Sequence, residues 1–113
     1  MWLLHVGNLV ADEAFFMTGA NAVTASNSNP DSSRRTMVMV SALIEHPTEG
    51  LVLFETGAGK ICPAVWGPQL NDIFAREDYV EDQELDAATS KTGNKIKDIK
   101  AVIMQEGWSI LWY

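Results

Sequence analysis

Two histidines, a single cysteine and a cluster of carboxylates are the side chains of this chain that could support catalysis or metal binding. A catalytic zinc ion takes three protein ligands and keeps one position open for water, and a two-metal site needs more ligands. His5 and His46 lie far apart along the chain, and no His-x-His spacing occurs in it. We expect His5 to lie on an edge strand and His46 to be an exposed turn residue before Pro47. The residue types therefore predict no catalytic residue, no metal ligand and no cofactor held by this chain.

Two further motifs have an ordinary structural interpretation. The segment 57–60, Gly-Ala-Gly-Lys, follows a strand as a phosphate-binding loop does, but such a loop needs a glycine where Phe54 stands and a serine or threonine where Ile61 stands. Cys62 is the only cysteine, which excludes an internal disulfide and suits a reducing compartment. Beside Pro63 we expect it to be a small apolar packing residue and not a reactive thiol.

Acidic residues concentrate just before a short helical pattern at residues 85–91. Carboxylates at a helix start interact favourably with the helix dipole, and a glycine after the last turn, here Gly93, is typical of a helix end. We interpret the acidic run as the solvated face and cap of this helix and not as a cation site. Its members are Glu77, Asp78, Glu81, Asp82, Glu84 and Asp86.

The composition favours a globular protein with a core, since 47% of the residues are hydrophobic and 20% are charged. The formal net charge of −7 and the scattered basic residues argue against nucleic-acid binding and against an anionic membrane surface. The longest apolar-looking stretch, residues 36–44, is far shorter than the ~20 residues that span a bilayer. Residues 2–6 are too short for a signal peptide. We therefore expect a cytoplasmic protein.

The elements that must position these side chains centre on a predicted β-hairpin. Two apolar runs, within residues 37–54, flank a turn at 47–50, and we expect this hairpin to be buried on both faces. A strand with a bulge near Gly7 precedes it, and a long loop, residues 11–35, connects the two. A helix should begin near Pro68, and a buried strand should occupy residues 101–104.

The order of these elements resembles a known family. The run 41–57, Ser-Ala-Leu-Ile-Glu-His-Pro-Thr-Glu-Gly-Leu-Val-Leu-Phe-Glu-Thr-Gly, resembles the N-terminal hairpin of the metallo-β-lactamase superfamily, which leads to an Asp-Thr-Gly-like corner. Within that superfamily, the segments 29–35, 66–71 and 98–104 look most like N-acyl-homoserine lactonases. The resemblance covers roughly residues 2–104.

This resemblance implies an α/β (α+β) fold, the N-terminal portion of an αββα sandwich with a mixed sheet and flanking helices. It also implies a two-zinc centre that activates water to attack an acyl-homoserine lactone. The family's ligands follow the strand 101–104 in a His-x-His-x-Asp-His motif. In this chain those positions would be Glu106, Trp108, Ile110 and Leu111, so the motif is absent.

We therefore divide the chain into a partial lactonase-like domain, residues 1–104, and a hydrophobic tail unrelated to the family, residues 105–113. We expect a chain truncated before its metal ligands, inactive by itself, with apolar surface on the strands that the missing part would cover. Self-association or pairing with a homologue is one alternative function, and assembly with a separate C-terminal half is another. The substrate-binding residues stay open, since Phe15, Phe16 and Met17 could contact an acyl chain but are expected instead to anchor the loop.

Overall fold

The computed structural model describes residues 1–59 and 62–104, in which five strands and two helices alternate with short 3-10 turns. Lys60, Ile61 and the tail 105–113, including the ligand-register positions Glu106, Trp108, Ile110 and Leu111, lie outside the described residues. The strands are β1 (Trp2–Asp12), β2 (Arg34–His46), β3 (Gly50–Phe54), β4 (Ala75–Glu77) and β5 (Ile99–Ile103). The helices are α1 (Cys62–Ile73) and α2 (Leu85–Ser90).

All five strands form one mixed sheet in the order β4-β1-β2-β3-β5. The pairs β4–β1, β1–β2 and β2–β3 are antiparallel, whereas β3 and β5 run parallel. The α+β class, the mixed sheet and the central hairpin predicted from the sequence are thereby confirmed. The expectation that β1 is an edge strand is wrong for residues 8–10, which pair with β4.

The hairpin forms where β-branched and large apolar residues on both arms meet across a short turn. His46 pairs with Gly50, which adopts a φ of +79° that favours glycine, and Leu43 pairs with Leu53. β2 begins at Arg34, so the long connection is shorter than predicted, because residues 34–36 pair with residues 10–12 of β1. The predicted bulge is confirmed as a register shift between His5 and Gly7.

One face of the sheet carries the core. Leu4, Val6, Leu43 and Leu53 are buried there with two residues of α2, Leu85 and Ala88. We call this the covered face. Successive strand residues point to opposite faces, so the strand positions between these lie on the other side.

The opposite face, here called the open face, is lined by apolar residues that the described helices do not cover. The hairpin is therefore not buried on both faces, and the apolar surface expected on its strands is present. The predicted burial of β5 is wrong, since residues 100–103 are all exposed. The physical reason is that α2 packs on one side of the sheet only, and mainly against β1. The open face consists of Leu3, Val38, Val40, Ala42, Ile44, Val52, Phe54, Ala101 and Ile103, which the strand register aligns.

The helices follow the sequence signals closely. α1 begins at Cys62, earlier than the predicted start near Pro68, and it is kinked at Gly67, where φ is +74°. Pro68 opens the second half of the helix. Arg34 donates hydrogen bonds to the carbonyl oxygens of Asp72 and Ile73 at 3.4 and 3.3 Å, which caps the last turn of α1. The second predicted helix is α2. No helix in the described part of the chain is long and apolar enough to cross a membrane.

Candidate functional site

The corner after β3 lies at the sheet edge where the two parallel strands end. Ligands of α/β sheets bind outside the carboxyl ends of parallel strands, so this edge is the first place to look for a site. The backbone N–H of Glu55 donates to the carbonyl oxygen of Ile103 at 2.9 Å, which ties the corner to the end of β5. Glu55 has a φ of +65°, an uncommon backbone conformation for a side chain of this size. Thr56 beside it is buried.

Gly57 sets the shape of this corner. Its φ is +71°, and a Cβ atom added there would lie 2.4 Å from Cγ2 of Val6 in the covered face. Such a distance is shorter than carbon atoms tolerate, so only glycine lets the chain pass this close to β1. The corner therefore packs directly on the core of the sheet.

A buried arginine holds the next part of the corner. Arg76 of β4 donates from Nη1 to the carbonyl oxygen of Gly59 at 3.1 Å, and its side chain is 5% exposed. The same nitrogen lies 3.6 Å from Oε1 of Glu84, which is an ion pair but longer than a hydrogen bond. The ring of Tyr79 stacks on the guanidinium with 4.5 Å between the ring centroid and Cζ.

Tyr79 completes this cluster. The hydrogen bond to Glu84 raises the pKa of the Tyr79 hydroxyl, with burial and the negative charge of Glu84 acting in the same direction. Nε and Nη2 of Arg76 are buried without a hydrogen-bond partner. Arg76, Tyr79 and Glu84 thus form a polar clamp that joins β4, the start of α2 and the corner at residue 59.

The two histidines are engaged separately. Nδ1 of His5 accepts a hydrogen bond from the Gln83 amide at 3.3 Å, and Nε2 lies 3.0 Å from Oδ1 of Asn8. Nδ1 of His46 accepts from the backbone N–H groups of Thr48 and Glu49 at 3.3 and 3.1 Å. His46 is exposed as predicted, but it is the last residue of β2 and closes the turn from the end of that strand.

The carboxylates of the acidic run contact different partners. Asp82 pairs with Lys91 at 2.8 Å, Glu77 accepts a hydrogen bond from Thr36, and Glu84 is buried against the clamp arginine. The expectation of a solvated face therefore fails for Glu84, because the fold places Arg76 beside it. Asp82 and Lys91 also line a groove of about 480 Å³ beside the first residues of β1, together with His5 and Gln83.

The loop aromatics lie elsewhere. The ring of Phe15 makes an edge-to-face contact with Phe74 at a centroid distance of 5.1 Å, just after α1. This contact fits the anchoring role expected for the segment 15–17, although Phe15 and Met17 keep 58% and 46% of their surface exposed. The contact places Phe15 at the end of α1.

Solved structures of lactone hydrolases share this architecture. A mutant of AiiA from B. thuringiensis with N-decanoyl-L-homoserine bound at its active site superimposes with a TM-score of 0.62 at 17% identity. An N-acyl homoserine lactone hydrolase, with the product N-hexanoyl-L-homoserine bound at its catalytic metal centre, gives the same two values. Both matches cover 89% of this chain and 38% of the other chain. This chain has the fold of the N-terminal part of such a lactonase.

A third lactonase structure agrees. A quorum-quenching N-acyl homoserine lactone hydrolase matches with a TM-score of 0.56 and 14% identity, over 89% of this chain and 35% of its own. The chain thus spans little more than a third of the length of the lactonases whose fold it shares. No protein-family model and no curated protein sequence matches it.

The metal centre of the lactonase fold can be tested against the residues present. Within residues 1–59 and 62–104, no three His, Cys, Asp or Glu side chains come together in a group that could hold a metal ion. His46 lies six residues along β2 from Val40, the partner of His5, which separates the two histidines by about 20 Å of strand. The described residues do not fit a hydrolytic metal centre, and the register positions 106–111 lie outside them.

Sequence reasoning missed the residues that organise the corner after β3. In the sequence, Arg76 is an isolated arginine and Tyr79 stands between acidic residues. Glu84 is one member of the acidic run. Arg34 belongs to the scattered basic residues, and its type and position give no sign that it caps α1. A single arginine in a three-residue strand has no periodic pattern, so no local signal would have pointed to the clamp.

Proposed function

We propose that this chain forms the N-terminal sheet layer of an acyl-homoserine lactone hydrolase and does not open lactone rings by itself. The observation that carries the proposal is that a lactonase fold is combined, within residues 1–59 and 62–104, with no group of three side chains that could hold a metal ion. Hydrolysis of an ester needs an activated water and stabilisation of the developing oxyanion. Two histidines far apart on the sheet, each already hydrogen-bonded to other residues, supply neither.

In this proposal the chain contributes shape and not reacting groups. The hydrogen bond between Glu55 and Ile103 fixes where β5 ends, and Gly57 packs the corner on Val6. The clamp at Arg76 holds residue 59. Together these contacts fix the position from which residues after β5 would enter the site. A lactone substrate would therefore bind against a sheet edge that is already formed.

The test combines zinc content with lactone hydrolysis. The purified chain, incubated with zinc and desalted, is analysed for bound metal and assayed with N-hexanoyl-L-homoserine lactone by NMR. We expect far less than one zinc ion per chain and a ring-opening rate equal to that of buffer. Stoichiometric zinc with ring opening that a chelator abolishes would refute the proposal.

A matched variant controls for a contaminating host lactonase. The double variant His5→Ala, His46→Ala removes both histidines of the chain. Activity that survives this double substitution comes from a contaminant, whereas activity lost with it would belong to the chain and contradict the proposal.

A second candidate function is non-catalytic association. The specific observation in its favour is the open face, on which Leu3 and Val38 expose 70% and 64% of their surface. Exposed apolar patches of this kind mark interaction surfaces.

A further inference from the structure

The groove beside the first residues of β1 runs along the edge of that strand. Trp2, Leu3, Leu4 and His5 all line it, although successive side chains of a strand point to opposite faces of the sheet. Four consecutive residues line one groove together where the backbone edge of the strand faces it. Because β2 pairs with the other edge of these residues, the groove lies along the outer edge of β1. We call it the edge groove.

The outer edge of residues 2–5 has no partner strand within the part of the chain that the structure describes. β4 pairs with β1 at residues 8–10 only. Alternate residues of an edge strand turn their N–H and C=O groups outwards, where these groups can pair with another chain. Lysine, proline or a bulge usually protects such an edge, but residues 2–5 are Trp-Leu-Leu-His, and the bulge of β1 comes after His5. The edge groove therefore offers backbone hydrogen bonds to an extended chain.

The opposite wall of the edge groove comes from α2 and the turn before it. Ala88 of α2 and Leu4 of β1 keep only 4% and 5% of their surface exposed, so the floor between strand and helix is apolar. The Gln83 amide donates to Nδ1 of His5 at 3.3 Å, which joins the two walls at one end. Residues 2–5 extend about 13 Å, so the edge groove, with its volume of about 480 Å³, has the length of about four strand residues.

Carboxylates outnumber cations along this wall. Glu81, Asp82 and Asp86 are exposed on it, whereas Lys91 is the only cation of the segment 81–91. Lys91 pairs with Asp82 at 2.8 Å, so the segment keeps a net negative charge after that ion pair is formed. Complementary charge selects partners and speeds their association, so the wall favours a peptide with basic side chains.

We propose that the edge groove binds an extended basic peptide segment of a partner protein, which adds to the sheet beside residues 2–5 in line with β4. Its alternate apolar side chains rest on the floor at Leu4 and Ala88, and the basic side chains between them stay at the rim near Asp82. Main-chain pairing supplies affinity in this mode of recognition, and the alternating side chains supply specificity. The inference goes beyond the proposed function, which does not use this groove.

The test is an NMR titration of the isotope-labelled chain with the capped hexapeptide Lys-Val-Lys-Val-Lys-Val. We expect saturable shifts of the amides of residues 2–5 and 82–92, with a dissociation constant on the order of 100 µM. Two further peptides carry N-methyl groups on all valines or on all lysines. Because the N–H groups of alternate residues point to the same edge of a strand, only one of the two can still pair with β1. We expect that one to bind like the parent peptide and the other at least about 10-fold more weakly.

Two variants of the protein test the charge of the wall. Asp82→Asn and Asp31→Asn each remove one exposed carboxylate, the first at the rim of the edge groove and the second in the loop before β2. We expect Asp82→Asn to weaken binding of the lysine-valine peptide about fivefold and Asp31→Asn to weaken it less than about twofold. The corresponding glutamate-valine peptide should not bind.

Several results would overturn the inference. Equal binding of both N-methylated peptides and the parent peptide would mean attraction by charge alone, without strand addition. The absence of saturable shifts at residues 2–5, or equal effects of Asp82→Asn and Asp31→Asn, would remove the peptide from the edge groove. Shifts at residues 2–5 that depend on protein concentration without peptide would identify a second copy of the chain as the occupant. None of these results bears on the zinc and lactone assay, so the two proposals fail separately.

Discussion

Replacing Gly57 by alanine tests whether the corner is packed as tightly as the structure indicates. The new Cβ would lie 2.4 Å from Cγ2 of Val6, and the backbone there has a φ of +71°. The left-handed conformation costs a non-glycine residue about 1–2 kcal/mol, and overpacking a core contact costs about 1–3 kcal/mol. We therefore expect Gly57→Ala to lower the free energy of unfolding by about 3 kcal/mol.

The same loop offers a matched control. A Cβ on Gly59 would have nothing within 4 Å, so Gly59→Ala should change stability by less than about 0.5 kcal/mol. Urea unfolding followed by circular dichroism measures both variants. Because Val6 provides the clash, Val6→Ala in the Gly57→Ala background should cost less than the sum of the two single substitutions. Equal stability of Gly57→Ala and Gly59→Ala would refute the close packing of the corner on β1.

The clamp and the helix cap give three further predictions. Arg76→Met should destabilise the fold by about 3–5 kcal/mol in urea unfolding, because Glu84 would keep a buried charge without its partner, and Arg76→Met with Glu84→Gln should recover part of that loss. In an NMR titration Glu84→Gln should lower the pKa of Tyr79 towards its ordinary value. Because the pKa of Tyr79 is raised in the folded state, its interaction with Glu84 stabilises the fold fully below the ordinary tyrosine pKa, and this stabilisation is lost as the pH rises through the folded pKa. An unchanged titration of Tyr79 in Glu84→Gln would exclude the hydrogen bond. Arg34→Ala should cost about 1 kcal/mol by uncapping α1. Lys97→Ala, which removes an exposed basic side chain outside α1, is the control, and equal effects would argue against the cap.

The strands and helices could be predicted from the sequence because they depend on neighbouring residues. The two apolar runs around Pro47 predict the hairpin, Pro68 predicts the start of the second half of α1, and Gly93 follows α2 as a helix end. Each of these depends on backbone preferences that a residue and its neighbours largely determine. β2 was predicted too short because residues 34–36 are held by pairing with residues 10–12 of β1, a contact between distant parts of the chain.

Burial and the candidate site were harder to predict from the sequence, because they depend on contacts between distant parts of the chain. An apolar strand has the same sequence pattern whether one face or both faces are covered. The sequence alone therefore could not show which side of the sheet leaves Val40 and Ile103 exposed and which side buries Leu43 and Leu53. Glu84 looked like one more solvated carboxylate. Its burial depends on Arg76, which reaches it only because β4 pairs with β1.

By itself the sequence determined the α+β class, the hairpin, the resemblance to lactonases and the scarcity of metal ligands, since these follow from residue types and their order. Only the tertiary structure decided which face of the sheet is covered, which glycine the corner requires and where the polar clamp lies. These depend on distances between residues such as Gly57 and Val6, which are far apart along the chain and are brought together by strand pairing. The open face is the clearest case, because its apolar residues come from four strands and form one surface only in the folded sheet.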